Sequence, residues 1–359
     1  MISPIPVCVT GVGGASIGEQ IVKALRAAQT PYHIIGTDSC PHSTGFGLVN
    51  VPATLPPARA ADYIEQLVSL CKKHRVQALF PGSEAELVEI SRNRNVFRDM
   101  GIFLPINPSG VITACLDKVA TFEMLSGKGF CVPWYVRVRS EEQAASFASY
   151  PVVFKPSTGG GGSVDTVIVQ NKEEASLFAR FLLKTYPEFI AQEYVGTAAG
   201  EYTVGILSDM NGTFLNSIAV HRNLNLALSR RLRVPNRTER RELGDMLVIS
   251  SGISQGAIGP YPEVTATCEE IATSIGSAGP LNIQCRYFDN KVWVFEINPR
   301  FSGTTSLRAL VGFNEPDCLI RRHVLNEDIP VRFAYNQGIV MRRLEETFLP
   351  EEQNLGNSC

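Results

Sequence analysis

Three oxygen-bearing side chains late in the chain, Gln284, Glu296 and Asn298, are spaced so that they could gather around a hard cation. They belong to LNIQCRYFDNKVWVFEIN, two alternating runs joined by a short polar turn, which predicts a β-hairpin with a three-residue loop at Asp289–Lys291. Such a loop sets Gln284 opposite Glu296. Period-two alternation then puts Asn282, Gln284, Arg286, Val292, Val294, Glu296 and Asn298 on one face. Leu281, Ile283, Trp293, Phe295 and Ile297 fall on the other. One carboxylate and two amides are the oxygen donors that suit Mg²⁺. Arg300, two residues further on, offers a planar fork for a phosphate or a carboxylate. A merely solvated strand face fits poorly with the two valines counted on it.

A second constellation is VFKPSTGGGGSVDTVIV, where Lys155 precedes four glycines, Gly159, Gly160, Gly161 and Gly162, between two strand-like runs. A hairpin needs one or two glycines, and each extra one adds chain entropy lost on ordering. Successive unencumbered N–H groups can close over phosphate oxygens while the lysine supplies charge. No Gly-Lys-Ser/Thr follows, so this is not a Walker loop. A flexible spacer is the competing explanation.

A third is TGVGGASIGEQIVKAL, a glycine turn between a strand and a helix, with Asp38 ending the next strand. Gly11, Gly13, Gly14 and Gly18 could admit a dinucleotide phosphate at the helix N-terminus. Tight strand-to-helix packing needs glycine equally, and that explanation is preferred. His221 and Arg222 close a strand and read as structural or surface residues. The basic run SRRLRVPNRTERR reads as a solvated loop balanced by Glu239 and Glu242, with the clamping of an acidic substrate as the alternative.

These residues need elements to position them. Up to about residue 110, strand and helix alternate: IPVCVTGVG, a helix over 17–28, PYHIIGTDS, a helix over 61–74, then RVQALFPGSEAE. That order implies parallel strands in an open α/β sheet. From Pro108 the pattern becomes α+β. A helix over 116–128 precedes two antiparallel pairs, PVVFKP with DTVIVQ and EYTVGILSD with TFLNSIAVH, separated by a helix over 172–184. A helix over 263–275 leads into the hairpin, and the tail EEQNLGNSC reads as disordered.

The totals fit a multidomain globular protein: 359 residues, 44% hydrophobic, 19% charged, net charge −2. No global basic field recruits nucleic acid, and no apolar run is long enough to span a membrane. Nine scattered cysteines without a C-x-x-C pair suit free thiols in a reducing cytoplasm, and five dispersed histidines argue against zinc. The amino terminus reads as a first strand, not a signal peptide.

Taken together, the chain resembles the ATP-grasp superfamily, most closely its carbamoyl-phosphate-synthase-like branch, from TGVGG through NPRFSGTTSLRALVGFNEP. The resemblance implies a Rossmann-like pre-ATP-grasp domain over 1–112, a two-lobed ATP-grasp domain over 113–330 with a lid at about 130–200, and an extension over 331–359. LDKVATFEML implies that Lys118 reaches nucleotide phosphates, and VFKPSTGGGG implies a lid over the β- and γ-phosphates with Lys155 beside it. AQEYVGTAAGEYTVGIL implies that Gln192 or Glu193 and the Val195 backbone meet adenine, and Glu201 the ribose hydroxyls. GPLNIQCRYFDNKVWVFEINPR corresponds to the family's metal hairpin, whose first position is Gln in carbamoyl-phosphate synthetases, as Gln284 is here.

The implied activity is ATP-dependent carboxylate–amine ligation through an acyl-phosphate, with ATP and Mg²⁺ (or Mn²⁺) as cofactors and Arg300 and Lys155 acting at the reacting groups. The alternatives are a kinase of carbamate, bicarbonate or another small oxyanion, an NAD-dependent oxidoreductase, and a non-catalytic nucleotide sensor. Full carbamoyl-phosphate synthetases duplicate the unit, so a single copy implies other chemistry. The expected partners are small-molecule carboxylates and amines, with no nucleic acid or membrane, and the default assembly is a homodimer.

Overall fold

The structure, a computed structural model, describes residues 3–14, 16–158 and 163–348. The expectations placed on Gly159–Gly162 and on the EEQNLGNSC tail fall outside these described residues.

The first layer runs β1 (Ile5–Val9), α1 (Ile17–Arg26), β2 (Tyr32–Asp38), β3 (Val51–Thr54), α2 (Tyr63–Lys73), β4 (Ala78–Phe80), α3 (Glu84–Arg92) and α4 (Arg94–Asp99). Its four strands are parallel in the order β3-β2-β1-β4, the open α/β sheet that the strand–helix alternation predicts. The short β3 was not foreseen, because VPAT carries a proline and no alternation. The glycine turn after β1 serves close packing. A Cβ on Gly82 would fall 1.8 Å from the Thr10 carbonyl oxygen, and one on Gly18 would fall 2.3 Å from it. The N–H of Gly13 donates to Asp38 Oδ2 at 2.7 Å, and Cys40 N–H takes Oδ1 at 3.0 Å. Asp38 therefore holds the turn.

Next come α5 (Ser109–Leu116), which was not foreseen, and α6 (Lys118–Gly127), which is the helix expected over 116–128. Asp117 separates the two. Its backbone is extended and its side chain accepts from the Val119 and Ala120 N–H groups, capping α6 and making Lys118 the first helical residue. The proposed boundary at 112/113 falls inside α5.

A smaller lobe follows: β5 (Tyr135–Val138), α7 (Glu141–Ala145), β6 (Val152–Lys155), β7 (Val167–Val169), α8 (Lys172–Leu182) and β8 (Phe189–Glu193). Its antiparallel sheet has the order β5-β8-β6-β7, and β6 pairs β7 as expected. The larger lobe contains β9 (Glu201–Ser208), β10 (Phe214–Arg222), β11 (Arg230–Pro235), β12 (Met246–Ser250), β13 (Gly256–Gly259), α9 (Pro262–Ser274), β14 (Pro280–Phe288), β15 (Lys291–Asn298), α10 (Thr305–Leu310), α11 (Glu315–His323) and β16 (Gly338–Val340). Its main sheet has the order β15-β14-β9-β10-β13-β16.

Two expectations change here. The first half of the basic run is no solvated loop: Arg230–Pro235 form β11, paired antiparallel with β12. Leu232 and Val234 pack towards Tyr194, Leu247 and Ile249, while Arg231 and Arg233 face solvent. Arg240 pairs with Glu242 as foreseen, and also with Glu193. The stretch after residue 330 is not wholly separate either, since β16 joins the main sheet beside β13.

The first layer and the main sheet share one apolar core, in which Val7, Ile21 and Phe80 meet Leu215, Ile218 and Phe313. The polar groups between the two lobes are thereby held on a stiff base. No helix among the described residues is long and apolar enough to cross a membrane.

Candidate active site

The β14–β15 hairpin does oppose Gln284 to Glu296 and Asn282 to Asn298. It gets there by a different route. Phe288 pairs with Lys291, so the loop has two residues, Asp289 and Asn290, both with positive φ (51° and 55°), which a tight hairpin turn requires. A β-bulge at Phe295, between the pairs Cys285–Val294 and Gln284–Glu296, then restores the expected opposition.

The bulge also corrects the two faces. Val292 and Val294 lie on the core side with Ile283, Cys285 and Ile297. Trp293 and Phe295 instead line a cleft of about 710 Å³ with Gln284, Arg286 and Glu296. Phe295 also supplies a main-chain anchor, because its carbonyl accepts from Lys155 Nζ at 3.2 Å.

That cleft collects most of the expected nucleotide residues: Lys118, Lys155, Gln192, Glu193, Val195 and Glu201. Its walls are apolar where Val153, Tyr194, Val248, Ile249, Trp293 and Phe295 contribute. Lys155 is buried, with its ammonium 5.4 Å from the Phe122 ring centroid. Burial, reinforced by the Lys118 charge and only partly offset by Glu296, pushes its pKa down to about 7. Gln192 is buried, and its Oε1 has no hydrogen-bond partner among the described residues.

Glu201 lines the cleft, but its oxygens are engaged elsewhere. Oε1 accepts from Arg222 at 3.0 Å and Oε2 from Arg286 at 3.1 Å. Arg286 donates onward to the carbonyls of Val195 and Val248 and stacks 4.5 Å from the Tyr194 ring. Glu201 thus anchors two arginines that fix the Val195 turn and β12. The ribose contact implied by resemblance does not follow from this geometry. His221 turns away to stack on Tyr202, whereas Arg222 is buried as the Glu201 partner.

A second, more polar cleft of about 1230 Å³ adjoins the first and shares Gln284 and Glu296 with it. Asn298 and Arg300 lie here. Gln284 Nε2 donates to Glu296 Oε2 at 3.1 Å, which fixes the amide beside the carboxylate. Asn298 Oδ1 accepts from Arg300 Nη2 at 2.9 Å. Among the described residues no three His, Cys, Asp or Glu side chains gather as a metal site. One carboxylate flanked by amides is nevertheless a fitting donor set for a cation that takes its remaining ligands from phosphates.

Sequence reasoning missed Glu84. It opens α3, directly after the Ser83 cap, and its Oε1 accepts from Arg300 Nη2 at 2.6 Å. The signal was present: a strand ending in Pro-Gly-Ser-Glu places the start of a helix at the carboxyl end of a parallel sheet, where ligands of open α/β sheets bind.

Residues 250–347 match the family model described as ATP-grasp in the biosynthetic pathway with Ter operon, and residues 9–105 match the PylC-like N-terminal domain. The carbamoyl phosphate synthase large chain of Thermoplasma acidophilum is 24% identical over 255 residues, covering 68% of this chain and 23% of that one. The chain therefore spans about a quarter of that relative's length. Among solved structures, the biotin carboxylase domain of Hydrogenobacter thermophilus 2-oxoglutarate carboxylase, in complex with MgADP, ADP and bicarbonate, superposes with a TM-score of 0.62 at 16% identity. The match covers 92% of this chain and 71% of that one. N5-carboxyaminoimidazole synthetase from Staphylococcus aureus gives 0.61 at 15%, covering 92% and 79%. L-amino acid ligase from Bacillus licheniformis gives 0.62 at 14%, covering 90% and 74%. At such identities the structural likeness speaks for the fold. With the β14–β15 hairpin and the glycine-turn layer ahead of it, the chain is similar to ATP-grasp proteins, and most like their carbamoyl-phosphate-synthase-like branch.

Proposed function

We propose that the chain is an ATP-dependent carboxylate–amine ligase that works through an acyl-phosphate and releases ADP and phosphate. The observation that carries this reading is the position of the Gln284–Glu296 pair, at the junction of the apolar cleft and the polar one. A nucleotide base seated against Tyr194, Val248 and Trp293 would direct its phosphates at that pair, and the polar cleft would hold the acceptor beyond it. Gln192 Oε1, buried and without a partner among the described residues, suits a donor such as the adenine amino group.

Gln284, Glu296 and Asn298 would hold Mg²⁺, which when bound neutralises charge on the terminal phosphates; Mn²⁺ would fit the same oxygens. Lys118, at the first position of α6, and Lys155, held to the Phe295 carbonyl, line the same cleft. Lys155 is poised close to neutrality and gains its full charge when an anion arrives. Arg300 faces the polar cleft and orients the acid's carboxylate, with Asn298 fixing its fork. A carboxylate oxygen takes the terminal phosphoryl group as the bond to ADP breaks. The amine then displaces phosphate and loses a proton, leaving the amide. Position and electrostatics do this work, without a protein nucleophile. Small-molecule substrates, a homodimeric assembly and a cytoplasmic setting accompany this reading.

The test is an ADP-release screen over small carboxylates with Mg²⁺, in which hydroxylamine traps the intermediate. Hydroxamate formation together with ADP supports ligation. ADP and a phosphorylated oxyanion without hydroxamate would favour the kinase alternative, and AMP release would reject both.

A further inference from the structure

The polar cleft carries an ion pair that joins the first layer to the metal-type hairpin. Glu84 Oε1 meets Arg300 Nη2 at 2.6 Å, and both residues line the cleft. Arg300 is the fixed member, since Asn298 Oδ1 and the Phe301 carbonyl also hold its guanidinium. Glu84 is the more open one, with 31% of its side chain exposed against 12% for Arg300. The pair is open to the cleft on its Glu84 side, where ligand contacts can take its place.

The other carboxylate lining this cleft, Glu296, is hydrogen-bonded to Gln284, and Glu201 in the adjoining cleft holds two arginines. Glu84 is left, among the described residues lining the cleft, as the acidic group able to receive a cationic part of a ligand. It is held ionised: burial pushes its pKa up, but the Arg300 charge and hydrogen bond, with Lys118, pull it below the ordinary carboxylate range.

We propose that Glu84 and Arg300 together read a zwitterion, an α-amino acid whose ammonium group goes to Glu84 and whose carboxylate goes to Arg300. The ligand would replace the protein's own pair with two pairs of its own. An α-amino acid carries its opposite charges on one carbon, which suits two opposite groups already in contact. A simple carboxylic acid would satisfy Arg300 and leave Glu84 without its partner. Small neighbours, Gly82, Ser83, Gly303 and Thr304, leave room beside the pair. This inference names the acid substrate of the ligase proposed above and rests on that reading.

The experiment is isothermal titration calorimetry with saturating MgADP, using the standard L-α-amino acids, their matched deaminated acids (alanine against propionate, aspartate against succinate) and their methyl esters. At least one amino acid should bind, with the deaminated and ester analogues weaker by about tenfold or more. Glu84→Gln should weaken the amino acid by a similar factor and leave the deaminated acid within about threefold. The proposal is overturned if no amino acid binds, if the deaminated acid binds equally well, or if Glu84→Gln weakens both alike. Should that variant not fold, the analogue comparison on the wild type decides. Hydroxamate formed only from acids lacking an ammonium would sink this proposal and keep the ligase. Ammonium-dependent binding with no ADP release from any acid would do the reverse.

Discussion

Replacing Lys155 by Met should stabilise the nucleotide-free protein, and more so at low pH. The side chain is buried, with its ammonium 5.4 Å from the Phe122 ring centroid, and Met is close to it in length and volume. What it removes is a buried charge. The folded pKa of about 7 lies below the ordinary lysine value of 10.5 because burial and Lys118 outweigh Glu296. Below about pH 7 the lysine is charged in both folded and unfolded chains, and the fold bears the full cost of burying it. Between about 7 and 10.5 the folded protein has released the proton while the unfolded chain keeps it. The unfolded state then binds more protons, and stability rises with pH.

The gap corresponds to on the order of 5 kcal/mol near pH 6, shrinking to roughly 2 kcal/mol near pH 9. Urea unfolding of wild type and Lys155→Met at those two pH values, with a chelator and no nucleotide, gives the comparison. The informative quantity is the difference between the two stabilisations, roughly 3 kcal/mol, because packing changes cancel in it. An equal effect at both pH values, or a larger gain at high pH, would refute the argument that Lys155 is held close to neutrality. The same variant should lose binding of MgATP.

Glu296→Ala should abolish Mg-dependent ADP release while its urea midpoint stays close to the wild type's, since among the described residues its carboxylate has one hydrogen-bond partner, Gln284. Activity near normal would reject Glu296 as a metal ligand. Arg308 and Glu315 form a fully buried pair at 3.1 Å that also holds Asn282 on the floor of the polar cleft. Arg308→Met alone should cost about 3–5 kcal/mol by stranding the Glu315 charge, and adding Glu315→Gln should recover part of it; denaturant melts of the three proteins measure both. The three melts would instead be alike if the pair contributed nothing.

The alternating first layer, the antiparallel pairs and the hairpin were legible because hydrophobic period and turn residues are local signals. Gln284 and Glu296 faced each other as expected, yet the bulge at Phe295 was invisible, since phenylalanine suits a regular strand as well as an irregular one. That is why Val292 and Val294 were assigned to the wrong face. Glu201 shows a different limit. Its attachment to Arg222 and Arg286 is made across three strands, and no spacing announces it. The β11 strand was readable in principle, from Leu232 and Val234 alternating with arginines, but the density of charge pointed to a loop. Glu84 was hidden in what looked like an ordinary helix start.

Lys155 is held through a main-chain oxygen, and this changes which mutations can disturb it. Any side chain at position 295 leaves that acceptor in place, so point substitutions there should reshape the cleft wall without releasing the lysine. A one-residue deletion that straightened β15 would act differently. It would keep Gln284 opposite Glu296 while withdrawing the acceptor from Lys155, and so would mimic the loss of a residue on another strand. The address for this lysine is written in the path of the backbone, where a residue-by-residue comparison of related sequences would show only a gap.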